Sequence, residues 1–287
     1  MAKILEREVI SPKIVRLLVE APDIARVRKA GQFLILRPNS DSERIPLSIA
    51  DTDPVRGTLE LVVQEVGRTS AELFDKQVGD DICDVVGPLG TPTHIEKFGT
   101  AVCVGGGVGI APLYPIAKAL HEAGNKVIVI LGARSQDLII FEERMRSICD
   151  QLIVTTDDGS SGRKGLVTEA LKELIDGGEK VDYCITVGPP IMMKFVCETT
   201  RPYKIPTFAS LNTMMVDGTG MCGGCRLTVG GETKYVCVDG PEFDGHQVDF
   251  NAMMKRLGMY KEFEKQAYDK FNADGRPKDH TCKIGLH

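Results

Sequence analysis

No apolar run in this 287-residue chain approaches the ~20 residues that a helix needs to cross a bilayer. The opening stretch, MAKILEREVISPKIVRLLVE, lacks the apolar centre of a secretory leader. Basic charge is not in excess, since 35 Lys and Arg stand against 40 Asp and Glu for a net charge of -5. That balance gives no electrostatic case for a nucleic acid or an anionic membrane surface as partner. Internal repeats and low-complexity segments are missing. Cysteine occurs nine times, an odd number, without the spacing of a disulfide framework. Cys83, Cys103, Cys149, Cys184 and Cys197 lie in apolar runs and read as small buried hydrophobes. Together these features predict a cytoplasmic protein in a reducing compartment.

What is present is concentrated near the C-terminus. The chain reads Asp217-Gly-Thr-Gly-Met-Cys222-Gly-Gly-Cys225, and Cys237 follows after eleven intervening residues. Plant-type iron–sulfur proteins hold a [2Fe–2S] cluster through C-x4-C-x2-C and a more distant fourth Cys. The spacing survives here with Asp217 in the first position. Thiolates suit iron and sulfide, and a carboxylate still binds iron as a harder oxygen donor. Gly218, Gly220, Gly223 and Gly224 let the backbone curl tightly, and their amides can point at sulfur. A structural zinc site is the competing reading, but it wants two paired ligand sets, and the second half supplies only Cys237. Asp217, Cys222, Cys225 and Cys237 are therefore the candidate cluster ligands. Cys282 rivals Asp217 for the fourth position because thiolate is the softer donor.

Three rhythms divide the chain. Over residues 1–98, short β-rich segments such as IVRLLVEA, QFLILRP, TLELVVQEV and DDICDVVGP are punctuated by Gly, Pro and Asp, which predicts an antiparallel barrel. One short helix is predicted at ELFDKQ. Over residues 99–211, strands such as TAVCVGGG and KVIVILGA alternate with helices such as IAPLYPIAKALHEAG, which predicts a doubly wound parallel sheet. Residues 212–287 hold the cysteine motif, a run of helical period (VDFNAMMKRLGMYKEFEKQAYDKF) and a polar tail.

The middle region offers a nucleotide site. Gly105, Gly106, Gly107, Val108 and Gly109 follow a strand and open a helix that continues through Ala111 and Pro112. Glycines admit a pyrophosphate close to the backbone, and a helix N-terminus favours its charge. Gly188, Pro189, Pro190 and Met192 follow a later strand on the same rim, as do Asp157 and Asp158. Arg134 and Ser135 end the second strand, where a 2′-phosphate would be read, or where a capping Ser and a surface Arg would simply sit. The first region offers Arg44, Pro46, Leu47, Ser48 and Ile49, with Val63 beyond. It also offers Gly67, Thr69 and Ser70 at the start of the short helix. A guanidinium can grip phosphate in bidentate fashion. Taken alone, these residues read equally as a solvent-facing Arg and a helix cap.

The order of the three regions resembles the ferredoxin–NADP reductase superfamily over nearly the whole chain. Within it, the Pro46-Leu47-Ser48 turn, Gly87-Pro88-Leu89-Gly90, the 105–112 segment and Cys237-Val238-Asp239-Gly240-Pro241 resemble the electron-transfer subunits of dihydroorotate dehydrogenase. Asp217 is most similar to the small subunits of NADH-dependent reduced ferredoxin:NADP oxidoreductases, which are electron-bifurcating and also known as sulfide dehydrogenases. The resemblance implies an oxidoreductase subunit that binds FAD, NAD(H) and one [2Fe–2S] cluster, with NADP(H) left open. It implies hydride transfer between nicotinamide and flavin, single-electron relay to the cluster, and no dedicated acid–base residue. It also implies a heterodimer with a larger subunit carrying a second flavin and [4Fe–4S] clusters, through which ferredoxin is reached indirectly. A dihydroorotate dehydrogenase core, a hydrogenase or a sulfide-oxidising complex are the alternative partners. Two departures stand out: Ile45 occupies the position of the usual Arg before the flavin-contacting turn, and Val187 that of a frequent Cys.

Overall fold

The computed structural model describes residues 1–276. The N-terminal region forms seven antiparallel strands. These are β1 (Ala2–Ser11), β2 (Ile14–Glu20), β3 (Phe33–Arg37), β4 (Ile45–Asp53), β5 (Thr58–Gln64), β6 (Asp81–Ile82) and β7 (Asp84–Leu89), ordered β6-β1-β2-β5-β4-β3-β7. Side chains alternate across a strand, so Val15, Leu17 and Val19 of β2 meet Leu59, Leu61 and Val63 of β5 inside the barrel. Helix α1 (Pro22–Val27) covers one end, and α2 (Arg68–Asp75) follows β5. Neither β1 nor α1 stands out in the sequence. β1 buries only part of its length and carries exposed Lys and Glu among its apolar residues.

Pro46-Leu47-Ser48 lies within strand β4 and is not a turn. A proline cannot donate to a ladder and is confined to positions where its missing N–H faces no partner. β4 pairs with β3 over Ile45–Ser48 and with β5 only from Ile49 onward. At Pro46 one edge of the strand is therefore open.

The second sheet uses β8 (Thr100–Gly106), β9 (Lys126–Ala133), β10 (Gln151–Thr156), β11 (Arg163–Lys164), β12 (Tyr183–Val187) and β13 (Thr207–Ser210), all parallel, in the order β11-β10-β9-β8-β12-β13. Helices α3 (Ile110–Glu122), α4 (Glu142–Arg146), α5 (Val167–Asp176) and α6 (Pro190–Thr200) make the connections. The strand order reverses between β8 and β12, which is where open α/β sheets bind ligands.

After residue 211 the chain forms a hairpin, β14 (Arg226–Val229) and β15 (Glu232–Tyr235), then the short helix α7 (Val236–Asp239). Strand β16 (Glu242–Asp244) returns antiparallel to β13 and extends the second sheet. The long apolar–charged run is two helices, α8 (Phe250–Leu257) and α9 (Lys261–Ala273), rather than one. The break falls at Gly258, where the backbone leaves α8. Among the described residues no helix is long and apolar enough to cross a membrane.

Two of the hydrophobic cores cross the boundaries between the three sequence rhythms. Ile14, Ala50 and Val62 of the barrel pack with Ile110, Ala111 and Tyr114 of α3. Phe33 and Ile35 of the barrel share a second core with Met193, Leu211, Met215, Cys225 and Cys237. Cys103, Cys184 and Cys197 are buried free thiols as expected, and Cys149 is half-buried. Cys83 is buried but disulfide-bonded, so it is not one of them.

Candidate functional site

The barrel presents two features. The open edge of β4 leaves Pro46, Leu47 and Ser48 half-buried, opposite Ile35, Leu34 and Phe33 of β3. Arg28 reaches the same strand and donates from Nη2 to the Ile49 carbonyl at 2.7 Å, with burial pulling its guanidinium pKa down. The side chains of Ile49 and Val63 point into the barrel core, so only their backbone faces outward. Arg44 is exposed and lies 3.6 Å from the Asp84 carboxylate, which Arg37 holds at 2.6 Å. The second feature is the N-terminus of α2. Gly67 is its extended cap residue, with open space where a side chain would stand. The Ser70 hydroxyl accepts from the Val66 and Gly67 amides at 2.9 Å and donates to the Gly67 carbonyl, so it serves as the cap itself. Thr69 is buried beside it.

The second sheet gathers Gly105–Gly109 against Gly188–Met192. A Cβ on Gly109 would stand 2.6 Å from the Val187 carbonyl oxygen, and one on Gly106 would collide with Met192 Sδ. Only glycine fits between these segments. Gly107 differs: its φ of +55° is left-handed and nothing lies within 4 Å of the Cβ position, leaving an open cradle at the head of α3. Ala111 and Pro112 occupy the first turn of that helix. On the adjacent strands the Asp157 amide donates to the Ala133 carbonyl (3.1 Å) and the Asp158 amide to that of Arg134 (3.2 Å), which places all three site residues together. Ser160 donates to Asp158 and holds its carboxyl below the usual range.

The cysteine loop packs on the barrel. A Cβ on Gly218 (φ +74°) would stand 2.6 Å from Leu89 and 2.9 Å from Ile35. Cys225 and Cys237 are buried with their Sγ atoms 3.3 Å apart. Burial and the neighbouring Cys225 thiol push Cys237 up to about 12. Asp217 and Cys222 belong to the same loop but are not gathered on that pair. The Asp217 carboxylate accepts from the Thr219 amide at 2.9 Å and the Cys222 amide at 2.7 Å, and these hydrogen bonds lower its pKa. Cys222 is exposed, and its Sγ accepts from the Gly224 amide at 3.4 Å. Among the described residues no three ligand side chains converge on one point. The donor set nonetheless suits a cluster: two paired buried thiols, an exposed thiol and an ionised carboxylate, on a loop whose amides already point at sulfur. Cys282 lies outside the described residues.

One residue at the junction carried no sequence signal. Glu242, on β16, is mostly buried between the modules and accepts from Thr93 Oγ1 at 2.6 Å. Its Oε1 occupies the space that a side chain on Gly31 would need. Burial raises its carboxyl to about 7. Only the tertiary fold creates that environment.

Family models match parts of the second and third regions. Residues 212–249 match the iron–sulfur cluster binding domain of dihydroorotate dehydrogenase B, and residues 103–198 match the oxidoreductase NAD-binding domain. The chain is 51% identical over 253 residues to a Thermotoga maritima homolog of the dihydroorotate dehydrogenase B (NAD(+)) electron transfer subunit, covering 88% of this chain and 89% of that one. The Streptococcus pneumoniae electron transfer subunit is 35% identical over 249 residues, covering 84% and 94%. A solved chain from the NADH-dependent reduced ferredoxin-NADP oxidoreductase, described for flavin-based electron bifurcation, superposes with a TM-score of 0.90 at 48% identity, covering 95% of this chain and 98% of that one. At 21% identity, a Neisseria gonorrhoeae ferredoxin NADP+ reductase shares the fold with a TM-score of 0.58, over 71% of this chain and 90% of that one.

Proposed function

Because the chain belongs to the family of dihydroorotate dehydrogenase B electron-transfer subunits and their homologues, we propose that it serves as the nucleotide-oxidising half of a two-subunit flavin oxidoreductase. Its cofactors are FAD, NAD(H) and a [2Fe–2S] cluster. When bound, these supply hydride exchange between nicotinamide and flavin and single-electron exchange between flavin and cluster.

The residues of the chain orient and insulate. The cradle at Gly107 and the N-terminus of α3 hold a dinucleotide pyrophosphate, with Gly188–Met192 closing the far side. The open edge of β4 seats the flavin ring beside Leu47 and Ser48, and the amides heading α2 take the flavin's pyrophosphate. Arg44, tied toward Asp84, plays a lesser part there. Asp217, Cys222, Cys225 and Cys237 would hold the cluster, the two buried thiols releasing their protons to solvent when the metal binds. The observation that carries the reading is the seat of the cysteine loop directly on barrel strands β3 and β7. It supports a one-electron site beside the flavin site within one chain.

The partner is a larger subunit with its own flavin and [4Fe–4S] clusters, so that this chain feeds electrons from NADH into a bifurcating assembly. Anaerobically prepared protein should contain FAD and two irons with two acid-labile sulfides. NADH should bleach the flavin, and dithionite should produce a cluster electron paramagnetic signal. Asp217→Ala should lose or shift that signal, whereas an unaltered signal would remove Asp217 from the ligand set. Protein with zinc and no labile sulfide would refute the reading as a whole.

A further inference from the structure

The barrel and the nucleotide sheet meet along an apolar seam that includes Ala50, Val62, Ile110, Ala111 and Tyr114. Apolar contacts of this kind hold two bodies together without fixing their angle, because they lack direction. A polar lock lies at the same seam. On the barrel side, Asp51 of β4 is directly opposite Glu60 of β5. Like charges facing each other across a ladder are unfavourable, so the pair forms a receptor for a cation. From the nucleotide side, Arg144 of α4 fills it, bonding Glu60 through Nη1 and Asp51 through Nη2 at 3.0 Å. Its guanidinium also lies 4.3 Å from the Tyr114 ring centre and 4.2 Å from that of Phe141. Phe141 is held there by a left-handed backbone (φ 58°) at the head of α4.

The lock joins the two strands of chemistry. Tyr114 is on α3, five residues after Gly109 of the dinucleotide cradle, and Asp51 is on β4, three residues after Ser48 at the flavin edge. We propose that Arg144 is a positioning residue for hydride transfer, setting the angle between the helix that presents the nicotinamide nucleotide and the strand that seats the flavin ring. The inference rests on the placement of the two nucleotides given above. Arg144 touches neither nucleotide site; it acts through Tyr114 and Asp51. Removing it does not strand Glu60 in the core, since Arg16 Nε holds the other carboxylate oxygen at 2.7 Å. The apolar seam also stays in place. The effect should therefore fall on geometry rather than on folding.

The test is stopped-flow bleaching of the flavin by NADH in the holoprotein. Arg144→Ala should lower the limiting rate at least about tenfold, as a small misplacement of reacting groups does. The NADH concentration for half-maximal rate should move less than about threefold, FAD content and dithionite reduction should be normal, and any nicotinamide–flavin charge-transfer absorbance should weaken. Arg144→Lys should fall between, because one ammonium cannot span both carboxylates and stack on two rings. An Arg144→Ala protein with the wild-type limiting rate overturns the inference. If Arg144→Ala does not retain FAD, a full limiting rate in Arg144→Lys overturns it instead. Wild-type protein that NADH fails to bleach rejects the functional reading and this inference with it. Wild-type that bleaches beside an unaffected variant rejects the inference alone.

Discussion

Glu242 shows how a single carboxyl can tie stability to pH. Its pKa rises from an ordinary 4.5 to about 7, chiefly through burial, while Thr93 donates a hydrogen bond that only partly offsets the shift. Tyr183 and Cys103 are the titratable groups beside it, and burial keeps both neutral. The sign follows from linkage. A carboxyl held protonated in the fold contributes its full stability below its unfolded pKa and loses it as pH rises through the folded value. The protein should therefore lose stability between about pH 5 and pH 8, by about 1–3 kcal/mol from this residue. Glu242→Gln keeps a partner for Thr93 without the charge. It should flatten this part of the profile and melt above wild-type at pH 8, measured by calorimetry. A variant whose melting temperature follows wild-type across that range would exclude Glu242 as the source.

At the scale of elements, the parallel sheet and most of the barrel were legible because buried strands carry dense apolar runs and Gly or Pro punctuation. The cysteine loop was legible because ligand spacing is a covalent fact of the chain. Three things were not. The Pro46 strand reads as a turn because its one-sided pairing is visible only once β3 and β5 are in place. The split between α8 and α9 is hidden in a continuous period. Ser70 looks free to hold a phosphate until its hydroxyl is seen capping α2. Helix α2 also has a support that no local pattern announces. Arg276, beyond α9, bonds Asp75 at the end of α2 (3.0 Å) and Glu65 just before its start, and Tyr268 of α9 donates to the same Glu65. One guanidinium thus clamps both ends of the helix whose N-terminus is proposed to take the flavin's pyrophosphate. Arg276→Ala should weaken FAD binding about threefold to tenfold, roughly the 1 kcal/mol that a charge-assisted hydrogen bond supplies at a partly exposed site. Fluorescence titration of the apoprotein measures this, and an unchanged affinity would show that the clamp is idle.

The whole molecule is less modular than its sequence rhythms. Boundaries near residues 98 and 211 mark changes of pattern, yet two of the cores run across them. Ile14, Ala50 and Val62 of the barrel are covered by α3, and Phe33 and Ile35 are covered by the cysteine region together with Met193 and Leu211. Side chains shared in this way make one module's stability depend on its neighbour. A chain ending at residue 211 would uncover Phe33, Ile35, Met193 and Leu211, each worth about 1.5–3 kcal/mol when fully buried. Against the marginal stability of folded proteins, that change should lower the melting temperature by at least about 10 °C and raise binding of a hydrophobic dye. The same chain should also hold FAD less tightly, because β3, which backs the open edge of β4, is stripped of its outer cover. A truncated protein that melts with the full-length chain and keeps its flavin would mean that the cysteine region is an appendage, and that the seat of its loop on the barrel carries no energetic weight.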